Sequence, residues 1–244
     1  MDCAKVKIVV GTEIYFSDQF SNLWLRAAKV NLPPDVEVVV FDNNLEDRGE
    51  SLAVQYKCLQ QGCKYVRLLP NCHQNHAVEL LRIHALNVGA EAYFHLDIDC
   101  PPLKGLYETM IAHLQPDVAI VTEKAGAHCF IARTMATVDM TCQRIPFREG
   151  EQRTIFSDCA VETNKKGLRF FDHCRWMFHE MTLRGGYVKV VDHDFVHATI
   201  ASLKEPKSHR LMEAVKFPSL LTHVANVHDS FWGNAEIKEL LCQK

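Results

Sequence analysis

The chain has 244 residues, a formal net charge of −3, 48% apolar and 23% charged residues. That is ordinary globular usage with enough apolar residues for a normal core. No run of five or more Lys/Arg occurs, which argues against the footprint of a nucleic-acid binder or a polybasic membrane patch. No stretch of ~18 apolar residues exists, so no transmembrane helix is expected. Met1 to Lys7 is charged and leads straight into a short apolar run, without the h-region of a signal peptide. The ten cysteines are scattered and never fall at C-x-x-C spacing. They read as small buried hydrophobes, reduced in a cytoplasm.

In chain order, Lys5 to Gly11 reads as a buried strand ended by glycine. Ser17 to Val30 carries a helical apolar pattern, with Phe20, Leu23, Trp24, Ala27 and Ala28 on one side and Pro33-Pro34 as the stop. Val36 to Asp42 is a second strand running into Asn43-Asn44. Glu50 to Gln61 is a helix closed by Gly62, and Tyr65 to Leu69 a third strand. His76 to Val88 is a helix with Gly89 as its C′ residue. Ala92 to Asp97 is a fourth strand, Lys104 to Leu114 a helix and Val118 to Val121 a fifth strand.

The second half is less regular. His128 to Arg133 reads as a strand and Thr141 to Thr154 as a polar loop. Asp158 to Lys166 and Asp172 to Leu183 read as helices, and Tyr187 to Val191 as a strand leading to Asp192-His193-Asp194 and His197. The tail from Ser208 to Lys244 carries short helices.

Continuous apolar strands alternating with helices imply an α/β fold, with a mostly parallel central sheet covered by helices on both faces. No repeat or linker composition divides the chain. It reads as one domain over residues 1–244, with a nucleotide-type half to about residue 100 and an elaborated half beyond it. In such sheets ligands bind beyond the carboxyl ends of the strands. Gly11-Thr12-Glu13, Asp42-Asn43-Asn44 and Asp97-Ile98-Asp99 all fall at such ends.

Two aspartates separated by one residue, just past a buried strand, form a candidate anchor for a hard divalent cation such as Mg²⁺ or Mn²⁺. The same pair also fits a solvated strand-end turn, because Asp is a common turn residue. His197 reads equally as a metal ligand or a core histidine. His76 and Arg82 fit either a pyrophosphate contact or a solvated helix face. Trp232 fits an acceptor-stacking ring or packing of the tail.

The order of these motifs resembles the GT-A fold glycosyltransferases, nucleotide-sugar-dependent enzymes with a D-x-D motif, and most of all their large inverting group. The likeness covers residues 5 to 200 loosely. Val10-Gly11-Thr12 and Phe41-Asp42-Asn43-Asn44 look like the strand ends that meet the nucleotide, and Phe94 to Asp99 looks like the D-x-D strand. Phe171-Asp172, the following helix and Gly185-Gly186-Tyr187 look like the family's acidic residue, helix and next strand. Val190 to His197 looks like its closing strand.

The resemblance implies sugar transfer from a UDP- or GDP-sugar to an acceptor hydroxyl. It implies Mn²⁺ or Mg²⁺ held by Asp97, Asp99 and His197. Nucleotide contacts would come from Gly11, Thr12, Glu13, Asp42, Asn43, His76, Arg82 and Asp97. It also implies Asp172 as the general base giving inversion. The usual acidic pair before that helix is here only Asp172, so Asp158 is the competing base and Glu162 a third.

A haloacid-dehalogenase-type phosphotransferase would carry D-x-D on its first strand. An arginase-like hydrolase would need a Gly-Gly-Asp-His segment, and a nucleotidyltransferase a Gly-rich first loop. None of these is present. A scaffold that kept the fold without the chemistry is the non-enzyme alternative, against which the intact Asp97 and Asp99 argue.

Overall fold

The computed structural model describes residues 7–14, 18–43, 48–68, 74–123, 128–143, 145–148, 150–156, 161–163, 169–171, 174–191 and 234–242. The first half alternates as β1 (Ile8–Ile14), α1 (Asp18–Asn31), β2 (Glu37–Asp42), α2 (Arg48–Gln61), β3 (Lys64–Arg67), α3 (Gln74–Asn87) and β4 (Ala92–Leu96). There follow α4 (Leu106–His113), β5 (Val118–Glu123), β6 (Cys129–Arg133) and a single 3₁₀ turn at Met135–Thr137. The rest comprises β7 (Val161–Thr163), β8 (Arg169–Phe171), α5 (Arg175–Leu183), β9 (Tyr187–Val191) and α6 (Ala235–Cys242).

Seven strands form one sheet in the order β3-β2-β1-β4-β6-β5-β9. β1 pairs in parallel with β2 and β4, β2 with β3, and β5 with β9. β6 runs antiparallel between β4 and β5. The sheet is therefore mostly parallel, and the side-chain alternation of each strand feeds two cores. Val10, Val40, Phe94 and Leu96 pack with Phe20, Leu23, Trp24, Ala27 and Ala28 of α1 on one face. Val9, Val39, Phe41, Tyr93 and Phe130 pack with Ala77, Val78, Leu81 and Ala85 of α3 and Met177, Phe178 and Met181 of α5 on the other.

The apolar stripe predicted for α1 is the one that is buried. Gly89, at φ +67°, supplies the left-handed residue expected after α3. α6 returns to the first half: Arg26 Nη1 donates to the Leu240 carbonyl at 2.9 Å, and Glu236 Oε1 accepts from Asn31 Nδ2 and Lys104 N at 2.8 and 2.9 Å.

Two expectations differ from the structure. β1 does not stop at Gly11 but runs on to Ile14. Gly11 is there because α3 packs against it: a Cβ at Gly11 would lie 2.5 Å from Leu81 Cδ1. The stretch read as a helix over Asp158 to Lys166 contains β7, which pairs antiparallel with β8 as Val161↔Phe171 and Thr163↔Arg169. A β-branched residue at each end of a three-residue strand was outweighed in the sequence by the polar residues around it.

Among the described residues no helix is long and apolar enough to cross a membrane. Cys58, Cys63, Cys100, Cys129, Cys142 and Cys174 are buried, as expected, whereas Cys242 on α6 is exposed. Burial pushes the Cys58 thiol up to about 12 and the Cys63 thiol up to about 11, so both stay protonated and unreactive at neutral pH.

Candidate active site

β1, β2 and β4 end side by side, and their last residues bring acidic and amide side chains together. At the end of β1 and β2, Asn43 N continues the ladder by donating to the Ile14 carbonyl at 2.9 Å. The Asn43 side chain then donates through Nδ2 to Glu13 Oε1 at 2.6 Å, in a buried contact. Asp42 is fully enclosed. Its Oδ1 lies 2.7 Å from Arg67 Nη1, and its Oδ2 accepts from the Tyr65 hydroxyl at 2.5 Å. Burial and the adjacent Asp42 carboxylate push the Tyr65 hydroxyl well above the usual phenol range, so it remains the donor.

At the end of β4 the chain makes a tight turn. Cys100 N donates to the Asp97 carbonyl at 2.9 Å, leaving Ile98 and Asp99 at the two central positions. Pro101 and Pro102, both buried, prevent the strand from resuming in the ladder. Asp99 is half-buried on this turn, whereas Asp97 is 6% exposed.

Asp97 is held by two imidazoles. His95 Nε2 lies 2.9 Å from Oδ1, and His128 Nδ1 lies 2.6 Å from Oδ2. The register explains the meeting. His95 and Asp97 are two residues apart and share a face. β6 pairs with β4 as Leu96↔Cys129, and Asp97 N donates to the His128 carbonyl at 2.8 Å. The side chain of His128 is thereby set beside Asp97.

Burial raises the Asp97 carboxyl. The hydrogen bonds from His128 and His95, and the positive charge those rings can carry, outweigh it and hold the group well below the usual carboxylate range. An ionised carboxylate only accepts, so Nδ1 of His128 and Nε2 of His95 carry the hydrogens.

The other expected residues divide clearly. Gly11 and Thr12 lie inside β1, both buried, two to three residues before its end. His76 is exposed in the first turn of α3, the end of that helix nearest the carboxyl ends of the parallel strands. Arg82 is buried and not on a solvated helix face. Its Nη1 donates to the Thr137 carbonyl at 2.6 Å and to the Met140 carbonyl, past the end of the antiparallel β6 and so at the opposite edge of the sheet. A helix carries successive turns of side chains steadily along its axis, and Arg82 lies almost two turns beyond His76. Asp172, Asp158, His197 and Trp232 lie outside the described residues. Glu162 is on β7, opposite Phe170.

His95 and His128 are the site residues that the sequence left unassigned. The H-x-D spacing of His95 and Asp97 was the available signal. For His128 there was none, since only the antiparallel pairing of β6 brings it to Asp97. Among the described residues no group of three or more His, Cys, Asp or Glu side chains converges as a metal cage.

No family model matches the chain, and no curated protein matches it in sequence. Solved structures do match in fold. A mannosyltransferase from Pyrobaculum calidifontis, in complex with GDP-Man and Mn²⁺, superposes with a TM-score of 0.58 at 12% identity, covering 98% of this chain and 75% of that one. Glucosyl-3-phosphoglycerate synthase from Mycobacterium tuberculosis, with Mn²⁺, UDP and glucosyl-3-phosphoglycerate, gives 0.55 at 10% identity over 94% of this chain and 81% of that one. The same enzyme with Mg²⁺ and UDP gives 0.55 at 11% identity, over 94% and 80%. The chain thus has the GT-A-type fold that its motif order resembles. At this identity the likeness establishes the fold, and the chemistry has to be argued from the site.

Proposed function

We propose that the chain is a divalent-metal-dependent glycosyltransferase. It moves a sugar from a UDP- or GDP-sugar to an acceptor hydroxyl, with inversion at the anomeric carbon. The observation that carries this is the Asp97-Ile98-Asp99 turn at the carboxyl end of β4, beside the Glu13–Asn43 pair at the ends of β1 and β2. The fold is one in which solved relatives hold GDP-Man or UDP together with Mn²⁺ or Mg²⁺.

The residues fit a hard cation. Asp99 stands half-buried on a turn at the strand end, and a hard cation there would take its remaining ligands from a diphosphate and water. When bound, such an ion neutralises charge developing on the leaving nucleoside diphosphate. The protein's own part is positioning. Asp99 faces the cation, with Asp97 fixed behind it by His95 and His128. Glu13 and Asn43 receive the nucleoside, and Asp42, locked by Arg67 and Tyr65, stiffens the strand end that carries Asn43. His76 lines the nearby turn of α3.

Asp172, between β8 and α5, accepts the proton of the attacking hydroxyl, with Asp158 as the competing base. His197 is a further candidate ligand. The buried thiols suit a reducing cytoplasm.

The test is release of UDP or GDP from their sugar conjugates, with Mn²⁺ and with EDTA, and the anomeric configuration of the product. Metal-dependent release that is lost in Asp99→Ala, with inverted product, is expected. Release that persists in EDTA, or a retained anomeric configuration, would contradict the proposal.

A further inference from the structure

We infer that the outward face of α2 is the contact between two copies of this chain, paired antiparallel about a two-fold axis that passes beside Tyr56. The inference is independent of the glycosyltransferase reading.

α2 carries apolar residues on two opposite sides. Ser51, Val54 and Cys58 are buried, and Val54 and Cys58 belong to the core shared with α1. Leu52, Tyr56 and Leu59 are 63%, 62% and 67% exposed. The larger side chains are thus the ones left in water. The helix cannot roll to hide them, because its inner side is committed to the core and its end is pinned. Cys63 N donates to the Cys58 carbonyl at 2.9 Å, and Gly62 N to the Leu59 carbonyl at 3.2 Å. Single apolar residues on a surface need no explanation, but a row of them marks an interaction site.

The spacing points to the shape of the partner. Leu52, Tyr56 and Leu59 are four and three residues apart. That is the narrow seam along which one helix packs against another.

Charge selects which helix. The exposed residues from one end of the seam to the other are Leu52, Ala53, Gln55, Tyr56, Leu59 and Gln60, all uncharged. A helix that lies on a lipid surface has Lys and Arg on its polar side. A partner recognised by charge would need the opposite charge here. This face offers neither. A second α2 does fit, because a two-fold contact must be self-complementary. With Leu52 set opposite the partner's Leu59, both leucine pairs close and the two Tyr56 rings flank the axis. No charge is buried, and tyrosine is a favoured residue at the centre of interfaces.

Size sets the strength. The seam runs for about 10 Å of helix axis. It falls short of the about 800 Å² per partner of a stable interface. The dimer therefore forms and dissociates in the micromolar range rather than being permanent.

The experiment is sedimentation of the full chain over a concentration series, for wild type, Tyr56→Glu, Leu52→Lys, Leu59→Glu and the last two combined. Wild type is expected to pass from monomer to dimer as concentration rises. Tyr56→Glu, and Leu52→Lys or Leu59→Glu alone, each weaken the dimer by more than about tenfold. Combined in one chain, the two leucine substitutions restore it, because antiparallel pairing sets each new lysine opposite a new glutamate of the partner. All these positions are exposed, so at concentrations where wild type is monomeric the variants keep its melting temperature.

A wild type that stays monomeric at every concentration overturns the inference. A dimer that Tyr56→Glu leaves intact places the contact elsewhere and overturns it as well, and a combined variant that stays monomeric overturns the antiparallel pairing. A monomer that Tyr56→Glu destabilises shows the face covered by the chain itself, which also contradicts a contact between copies.

Discussion

Asp42 and Asp97 occupy matching places, at the carboxyl ends of β2 and β4, and both are buried acids with both oxygens engaged. Their partners differ. Asp42 is held by a guanidinium, which is always charged and has no lone pair, and by a tyrosine that stays protonated. Asp97 is held by two imidazoles, whose charge depends on pH. The first arrangement locks a strand end. The second ties β6 to the end of β4, at the turn that carries Asp99.

The contrast can be tested by breaking each side. Arg67→Ala leaves the fully buried Asp42 carboxylate without its charge partner. It should destabilise the fold by about 3–5 kcal/mol in chemical denaturation, whether or not nucleotide is present. A loss under about 1 kcal/mol, the range of exposed pairs, would remove the idea of a lock.

Asp97→Asn should cost less, about 1–3 kcal/mol at neutral pH, because the amide keeps the volume and one acceptor but opposes one imidazole. Its pH dependence has a definite sign. The folded carboxyl titrates well below its ordinary value, so the unfolded chain binds the proton first. The stabilisation is complete above the unfolded value of about 4 and drains away as pH falls through it toward the folded value. Melting temperatures of wild type and Asp97→Asn should therefore converge below about pH 4. A gap that stayed constant through that range would contradict the depressed carboxyl.

Gly11→Ala sits between the two strand ends, and its methyl would press on the buried Leu81. A cost of about 1–3 kcal/mol is expected from overpacking; a neutral effect would mean that α3 can slide. The smallest stability effect belongs to Asp99→Ala. It is half-buried on a turn, so the loss should stay within about 1 kcal/mol, while metal-dependent ligand binding disappears. A variant that unfolds would show that Asp99 holds the turn rather than a ligand.

The sequence made one end of this contrast readable. The buried strands β1, β2 and β4 announce themselves as apolar runs, and the periodicity of α1 and α3 is plain, because helices and parallel strands leave local patterns. Asp97 and Asp99 were visible for the same reason, as polar residues at the end of such a run. What could not be read is what comes from partners distant in sequence. Arg67 reaches Asp42 across 25 positions in the chain, and His128 reaches Asp97 across 31. Arg82 was ambiguous because a helical arginine looks alike whether it faces a ligand or caps two carbonyls beyond a distant strand. β7 was missed because three residues carry too little periodicity to stand against their polar surroundings.

The central claim is that the end of β4 takes a metal-bound nucleoside diphosphate. It is tested most directly by thermal unfolding of the full chain with GDP or UDP, in Mn²⁺ and in EDTA, for wild type and Asp99→Ala. A ligand at about 100 times its Kd stabilises by about 2.7 kcal/mol, which raises the melting temperature of a chain this size by about 5–10 °C. The account predicts that rise with one of the two nucleotides, in Mn²⁺ only, and its absence in Asp99→Ala. An equal rise in EDTA, or in Asp99→Ala, would contradict it.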